Sequence, residues 1–196
     1  SEDGQTLFVA VGESIQTAID AADPTNGIVQ LAAGTHDLTQ TLTISTPITL
    51  IGTADVDGTP LAVLDGTNAG GRAFDCTLAA EDVLTMADLM IANCGVGQTE
   101  GGALRSTGGA IDMTNMTFED NTAEGDGGAL HMEGTNLVLT DCTFRANRAE
   151  DGGAISMSAG GTLTISGGLF ELNGAVIDSL QSGDDTYGGA INLTST

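Results

Sequence analysis

The sequence predicts an all-β chain wound as a parallel β-helix, a solenoid of about six coils, with a short amphipathic helix capping its N-terminal end. Three observations predict it. Phe-x-x-Asn occurs at Phe118/Asn121, Phe144/Asn147 and Phe170/Asn173, advancing by 26 residues each time. Gly-Gly-Ala-aliphatic begins at Gly101, Gly127, Gly152 and Gly188, in steps of 26, 25 and 36, with an off-beat copy at Gly108. Between these phrases apolar residues alternate in short bursts, as in Leu137-x-Leu139 and Cys142-x-Phe144, which is the period of strands and not of helices. A unit this small cannot bury its own apolar face and does so against its neighbours. Three short strands per unit, joined by Gly, Asn, Asp and Thr corners, make the solenoid a parallel β-helix.

The elements follow in chain order. Residues 6–11, TLFVAV, read as a strand. In GESIQTAIDAADP, Ser14 is an N-cap and Ile15, Ala18, Ile19 and Ala22 form one apolar stripe before Asp23-Pro24 ends the helix, which suits a lid. The segments IVQLAAGTH, TLTI, PITLIG and LAVLDG are strands between turns, and VLTMADLMIANC is a less regular coil whose Met86 precedes Met113 by 27. The long 36-residue step places extra residues after Asn173, in GAVIDSLQSGDDTY, a solvated excursion or a contact loop carrying Val176, Ile177 and Leu180. One β-helix thus covers 1–196: strand and cap over 1–26, coils over 27–196, the last coil incomplete.

Stacking at the spacing of parallel strands explains the residue types. Phe118, Phe144 and Phe170 form an internal aromatic stack. Asn121, Asn147 and Asn173 form a ladder at a bend, where Asn satisfies corner backbone groups and tolerates left-handed φ. The paired glycines permit a corner with positive φ and close approach of coils. Outward columns read Glu119, Arg145, Glu171, an ion ladder; Asp112, Val138, Thr164; and Thr114, Thr140, Ser166 beside Thr117, Thr143, Leu169. Threonine arrays of this kind bind ice in some solenoids, but here Leu169 and the flanking Asp112 and Asp141 interrupt them.

Composition narrows function. The net charge of −23 arises from 27 acids against four bases, all Arg, with no Lys. Nucleic acid is excluded as a partner, because phosphate binding needs a basic face, and no segment is long and apolar enough to span a membrane as a helix. Such acidity fits a soluble, salt-tolerant extracellular chain. Cys76 and Cys94 could pair or remain free, and Cys142 falls in an inward series with Met116 and Gly168. His36 and His131 have no obvious sequence partners. The sequons at Asn115 and Asn192 are as frequent as Thr-rich composition gives by chance.

The passage ESIQTAIDAADPTNGIVQLAAGTHDLTQTLTISTPITLIGT resembles the start of the pectin-lyase-like right-handed parallel β-helix superfamily, in which an amphipathic helix caps the first coil. The repeats GGAL…FEDN, GGAL…FRAN and GGAI…FELN resemble those of polymorphic outer membrane proteins and related bacterial surface adhesins. The resemblance implies a right-handed solenoid, and the superfamily holds polysaccharide lyases, hydrolases and epimerases as well as adhesins, so fold does not select function. No carboxylate pair with a base gathers on an outward column, and stacking aromatics for a sugar are scarce. No catalytic residue is therefore assigned. The expected function is a secreted structural or adhesive module at the cell surface, assembling head-to-tail into a filament or continuing in a longer chain, with a surface glycan or protein as partner. A polysaccharide-active enzyme is the alternative, and an ice- or surface-binding solenoid a further one.

Two sets of site residues follow. Glu100, Asp126 and Asp151 each precede a Gly-Gly-Ala corner, and Glu124 is placed opposite Glu150, so an acidic edge would collect cations diffusely; no cofactor is expected, Ca²⁺ being the one candidate. The ends offer the second set. Leu7 and Val9 of the first strand and Gly188, Gly189, Ala190, Ile191 and Leu193 of the last are the expected interface for self-association.

Overall fold

The computed structural model describes residues 5–175 and 189–194. The chain opens with β1 (Thr6–Val9) and α1 (Ile15–Ala21). The first coil is β2 (Ile28–Leu31), β3 (Gly34–Asp37) and β4 (Leu42–Ile44); the second is β5 (Thr49–Ile51), β6 (Ala62–Asp65) and β7 (Phe74–Thr77). The third holds β8 (Val83–Ala87), β9 (Leu89–Ala92) and β10 (Leu104–Thr107), and the fourth β11 (Ala110–Thr114), β12 (Thr117–Glu119) and β13 (Leu130–Glu133). The fifth and sixth each gain a two-residue corner strand: β14 (Asn136–Thr140), β15 (Thr143–Arg145), β16 (Arg148–Ala149) and β17 (Ile155–Ser158), then β18 (Leu163–Ser166), β19 (Leu169–Glu171), β20 (Gly174–Ala175) and β21 (Ile191–Leu193).

Every strand pairing is parallel, and successive coils stack into three long sheets. The first runs β1-β2-β5-β8-β11-β14-β18, the second β3-β6-β9-β12-β15-β19, and the third β4-β7-β10-β13-β17-β21. The 26-residue register holds residue by residue: Phe118 lies opposite Phe144, Met113 opposite Leu139, and Leu104 opposite Leu130. The sequence reading did not pick out β7, in the phrase FDCT, or the two-residue corner strands β16 and β20.

The core is a narrow shaft of inward columns. One reads His36, Leu64, Ile91, Phe118, Phe144, Phe170 down the second sheet. Its phenyl rings stack with centroids 4.8 Å apart and planes within 11° of parallel. His36 belongs to this column: it is buried and its Nε2 donates to Ala32 O at 2.9 Å. At the N-terminal end α1 closes the shaft, burying Ile15 and Ile19, with Thr17 N donating to the Ser14 cap at 3.2 Å.

The Asn ladder forms, with one difference in the reason. Left-handed φ falls one residue before it, at Asn93, Asp120, Ala146 and Leu172, and not on the ladder residues. The asparagines serve by hydrogen bonding alone. Asn147 Nδ2 donates to Phe118 O and Asn173 Oδ1, both at 2.9 Å, and its Oδ1 accepts from the backbone and side-chain nitrogens of Asn121. These bonds fix a corner that Ala146 and Leu172 would not favour, at a cost of about 1–2 kcal/mol each.

Cys76, Cys94 and Cys142 are all free and buried, so of the two alternatives for Cys76 and Cys94 the free thiols hold. Burial raises all three thiols, that of Cys94 to about 12. The native chain is expected not to react with a chromogenic disulfide reagent at pH 8, whereas the urea-unfolded chain titrates three thiols. Fast reaction of the folded chain would contradict the packing.

Candidate functional site

The third sheet turns Leu104, Leu130 and Ile155 inward, so the intervening residues Asp75, Arg105, His131, Ser156 and Asn192 make one outward column. Beside it, parallel bridges stack Glu100 on Asp126 and Asp126 on Asp151. Apart from Asp75, which lies beyond it, these residues line a groove of about 290 Å³ on the outside of the solenoid. The three acids that precede the Gly-Gly-Ala corners do therefore come together.

Glu124 and Glu150 do not join them. Gly125 and Asp126 both donate to Thr99 O, and Glu150 and Asp151 both donate to Gly125 O. Glu150 thus occupies the place equivalent to Gly125, and the single-residue shortening of this coil is absorbed there. The expected Glu124–Glu150 stack is corrected to two exposed acids out of register. Among the described residues no three His, Cys, Asp or Glu side chains come close enough to hold a metal ion.

Arg105 anchors the groove. Its Nε lies 3.2 Å from Glu100 Oε2 and its Nη2 3.2 Å from Glu133 Oε2, with Asp75 at 3.9 Å on the far side. Next to Asp75, Arg72 is held by two bonds to Gln98 Oε1, at 2.9 and 3.2 Å. His131 sits one coil beyond Arg105 with only 6% of its side chain exposed, its Nε2 3.8 Å from Glu100 Oε2 and its Nδ1 without a hydrogen-bond partner. Sequence reading missed His131 because it sought partners nearby in the chain. The register supplies the signal, since Arg105 and His131 are one 26-residue period apart.

Electrostatics separate the two titrating groups of the groove. Desolvation raises the Asp126 carboxyl, helped by Asp151 and Glu100 and opposed by His131. Desolvation lowers the His131 imidazole from its ordinary value, against the pull of Glu100 and Asp126. A histidine whose folded value is depressed binds its proton more readily when unfolded, so its contribution to stability is present above 6.5 and declines as pH falls through that value. The difference in melting temperature between the native chain and His131→Gln is expected to shift against the native chain between pH 7.5 and pH 5.5. A pH-independent difference would remove His131 from the buried groove.

A second concavity, about 380 Å³, lies on the second sheet beneath the turn 55–60. Asp55 Oδ1 caps this turn by accepting from Asp57 N and Thr59 N, and Asn115 Nδ2 tethers it through Gly58 O at 2.6 Å. Asn115, in one of the two sequons, has its amide engaged here and with Asp88. The Glu119–Arg145–Glu171 ladder runs along this face, with Arg145 3.9 and 3.3 Å from its partners; exposed as they are, such pairs contribute about 0.2–1 kcal/mol each.

At the ends, Val9 is buried in the shaft and Leu7 packs against it, so an interface at β1 would present its backbone edge and Phe8, which is 74% exposed. Of the C-terminal set, Ile191 is half-buried and Leu193 61% exposed. Gly188 and the predicted contact residues Val176, Ile177 and Leu180 lie outside the described residues. No helix among the described residues is long and apolar enough to cross a membrane.

Comparison with known families matches residues 115–133 to the Chlamydia polymorphic membrane protein repeat. That stretch runs from the left-handed Asn115 through the Phe118-x-x-Asn121 corner and the Gly127-Gly128-Ala129 corner to the end of β13. No curated protein and no solved structure matches the chain.

Proposed function

We propose that the chain is a structural and adhesive β-solenoid displayed outside the cell, as part of a larger surface protein or of a head-to-tail assembly. The observation that carries this reading is the matched repeat. It spans the two corners that let one coil sit on the next, so the similarity concerns the device by which such proteins extend. The acidic, Lys-free surface supports solubility at an exterior face. Edge strands β1 and β21 supply the backbone groups through which a further coil would add.

Beads carrying the chain are expected to adhere to cell monolayers above the level of albumin-coated beads, and sedimentation velocity at rising concentration to show association that deletion of residues 1–12 abolishes. Equal adherence of the two bead types would refute the adhesive part, and a concentration-independent monomer the assembly part. One observation favours the polysaccharide-active alternative, namely that the groove sets Asp126 and His131 side by side with their proton affinities shifted in opposite directions from the ordinary values. Cleavage of an acidic polysaccharide by the purified chain, lost in Asp126→Asn, would establish that reading instead.

A further inference from the structure

The three outer faces of the solenoid differ in charge. The second sheet turns Asp37, Asp65, Glu119, Arg145 and Glu171 outward, and the third Asp75, Arg105 and Glu133. On the first sheet two outward columns cross all seven strands, one from Thr6 to Thr164 and the other from Phe8 to Ser166, and Asp112 is the only charged residue in them. In a chain of net charge −23 this face is set apart. It also turns apolar groups to solvent: Phe8, Val83 and Val138 are exposed, and Ile28 and Ile51 partly so. Acids return at its rims, at Asp82, Asp88 and Asp141, each next to the end of a strand of this sheet. A contiguous surface of this kind marks an interaction site, and its lack of charge selects the partner.

We propose that this face pairs with the same face of a second copy, the two solenoids running antiparallel about a two-fold axis. Copies that each carry −23 repel through the second and third faces, where acids would meet acids, and approach most readily where charge is absent. A two-fold axis along the central strand β8 lays β11 of one copy over β5 of the other. Asp112 then lies over Thr49 of the second copy, instead of over its own counterpart as in a parallel pair. Sheets packed face to face stand about 10 Å apart with their strands within about 30° of each other, so the threonine and aliphatic columns interdigitate. Seven strands at the inter-strand spacing make the face roughly 30 Å long and about 15 Å wide. Two copies therefore bury about 900 Å², the size of a weak, reversible contact. This contact goes beyond the adhesive reading, does not depend on it, and leaves both ends of the solenoid free.

The test is sedimentation equilibrium of the full chain, from about 20 μM to about 1 mM, in about 0.5 M NaCl. Association is expected, with pairs as the end point of this contact, since an isologous contact closes on itself. Lowering the salt to about 0.05 M is expected to weaken it, as the rim acids lose their screening. Thr85→Glu, which sets two carboxylates together at the axis, is expected to weaken it about tenfold or more, and Asp112→Asn to strengthen it severalfold. Thr117→Glu on the second sheet leaves it unchanged. Val138→Glu, at an exposed position, replaces Thr85→Glu if circular dichroism shows that variant unfolded. A monomer at every concentration, or association that Thr85→Glu and Val138→Glu leave intact, would overturn the proposal; if the surviving association is lost on deleting residues 1–12, the contact is head-to-tail alone. A monomer whose adsorption to ice or to chitin is lost in Thr85→Glu would give the face a different occupant and likewise overturn it.

Discussion

Gly128→Ala unfolds the solenoid at its middle, with an expected loss above about 4 kcal/mol, the range reached only by core clashes and comparable lesions. A Cβ on Gly128 would lie 2.2 Å from Gly153 O and 2.5 Å from Arg148 O, both backbone atoms of the next coil. Backbone cannot swing aside as a side-chain tip can. To make room the coils must part where Ala129 and Leu130 both donate to Ala154 O, at 3.0 and 2.9 Å, and parting them opens the shaft beneath. Gly134→Ala is the control. Gly134 has φ +62 but nothing nearer than 3.6 Å, so alanine there meets only the left-handed penalty, about 1–2 kcal/mol. Urea midpoints followed by circular dichroism should separate the two variants clearly; similar midpoints would mean that coil contact at Gly128 is looser than described.

Asn147→Ala is expected to cost about 4 kcal/mol or more, four buried groups being left without partners at roughly 1–3 kcal/mol each. The groups are Phe118 O, the backbone and side-chain N–H of Asn121, and Asn173 Oδ1. Because Asn147 and Asn121 are fully buried, water does not replace the lost partners. Asn147→Asp sharpens the prediction. Its carboxylate keeps the acceptor for Asn121 but faces Phe118 O and Asn173 Oδ1 with a second oxygen, so its folded proton affinity should rise above the ordinary Asp value. A group raised in this way makes the folded state relatively more stable as pH falls toward the unfolded value. Asn147→Asp is therefore expected to recover stability on acidification to pH 5 relative to Asn147→Ala, and parallel pH profiles would show that the ladder amide does not donate as described.

The arrangement of strands was legible because a solenoid repeats its constraints. Phe118, Phe144 and Phe170 had to share a column once their spacing matched one coil, and Glu119, Arg145 and Glu171 followed from the same register. Where the repeat is imperfect, the reading weakens. The 25-residue step at Gly152 could be absorbed anywhere in the coil, and only backbone hydrogen bonds locate it at Gly125 and Glu150. The ladder's role was legible but the site of its left-handed residue was not, since Ala146 and Leu172 carry no propensity that marks a positive φ. β7 went unread because its Phe74-Asp-Cys alternation lies in a coil that lacks the Gly-Gly-Ala phrase. The groove was half legible. Its acids were found from their place before the corners, whereas Arg105 and His131 required folding the sequence on its own period across three coils.

The hydrogen bonds of all three sheets run along the solenoid axis, and this sets how the molecule bears load. Tension applied between its ends is carried in series from coil to coil, and at each junction in parallel by one pairing from each sheet, as by β11–β14, β12–β15 and β13–β17. Such a rod yields by peeling at its weakest junction instead of shearing as a whole. Each released coil of the 26-residue repeats pays out roughly 90 Å of extended chain, so the force needed stays nearly constant while the length grows several-fold, the behaviour of a shock absorber.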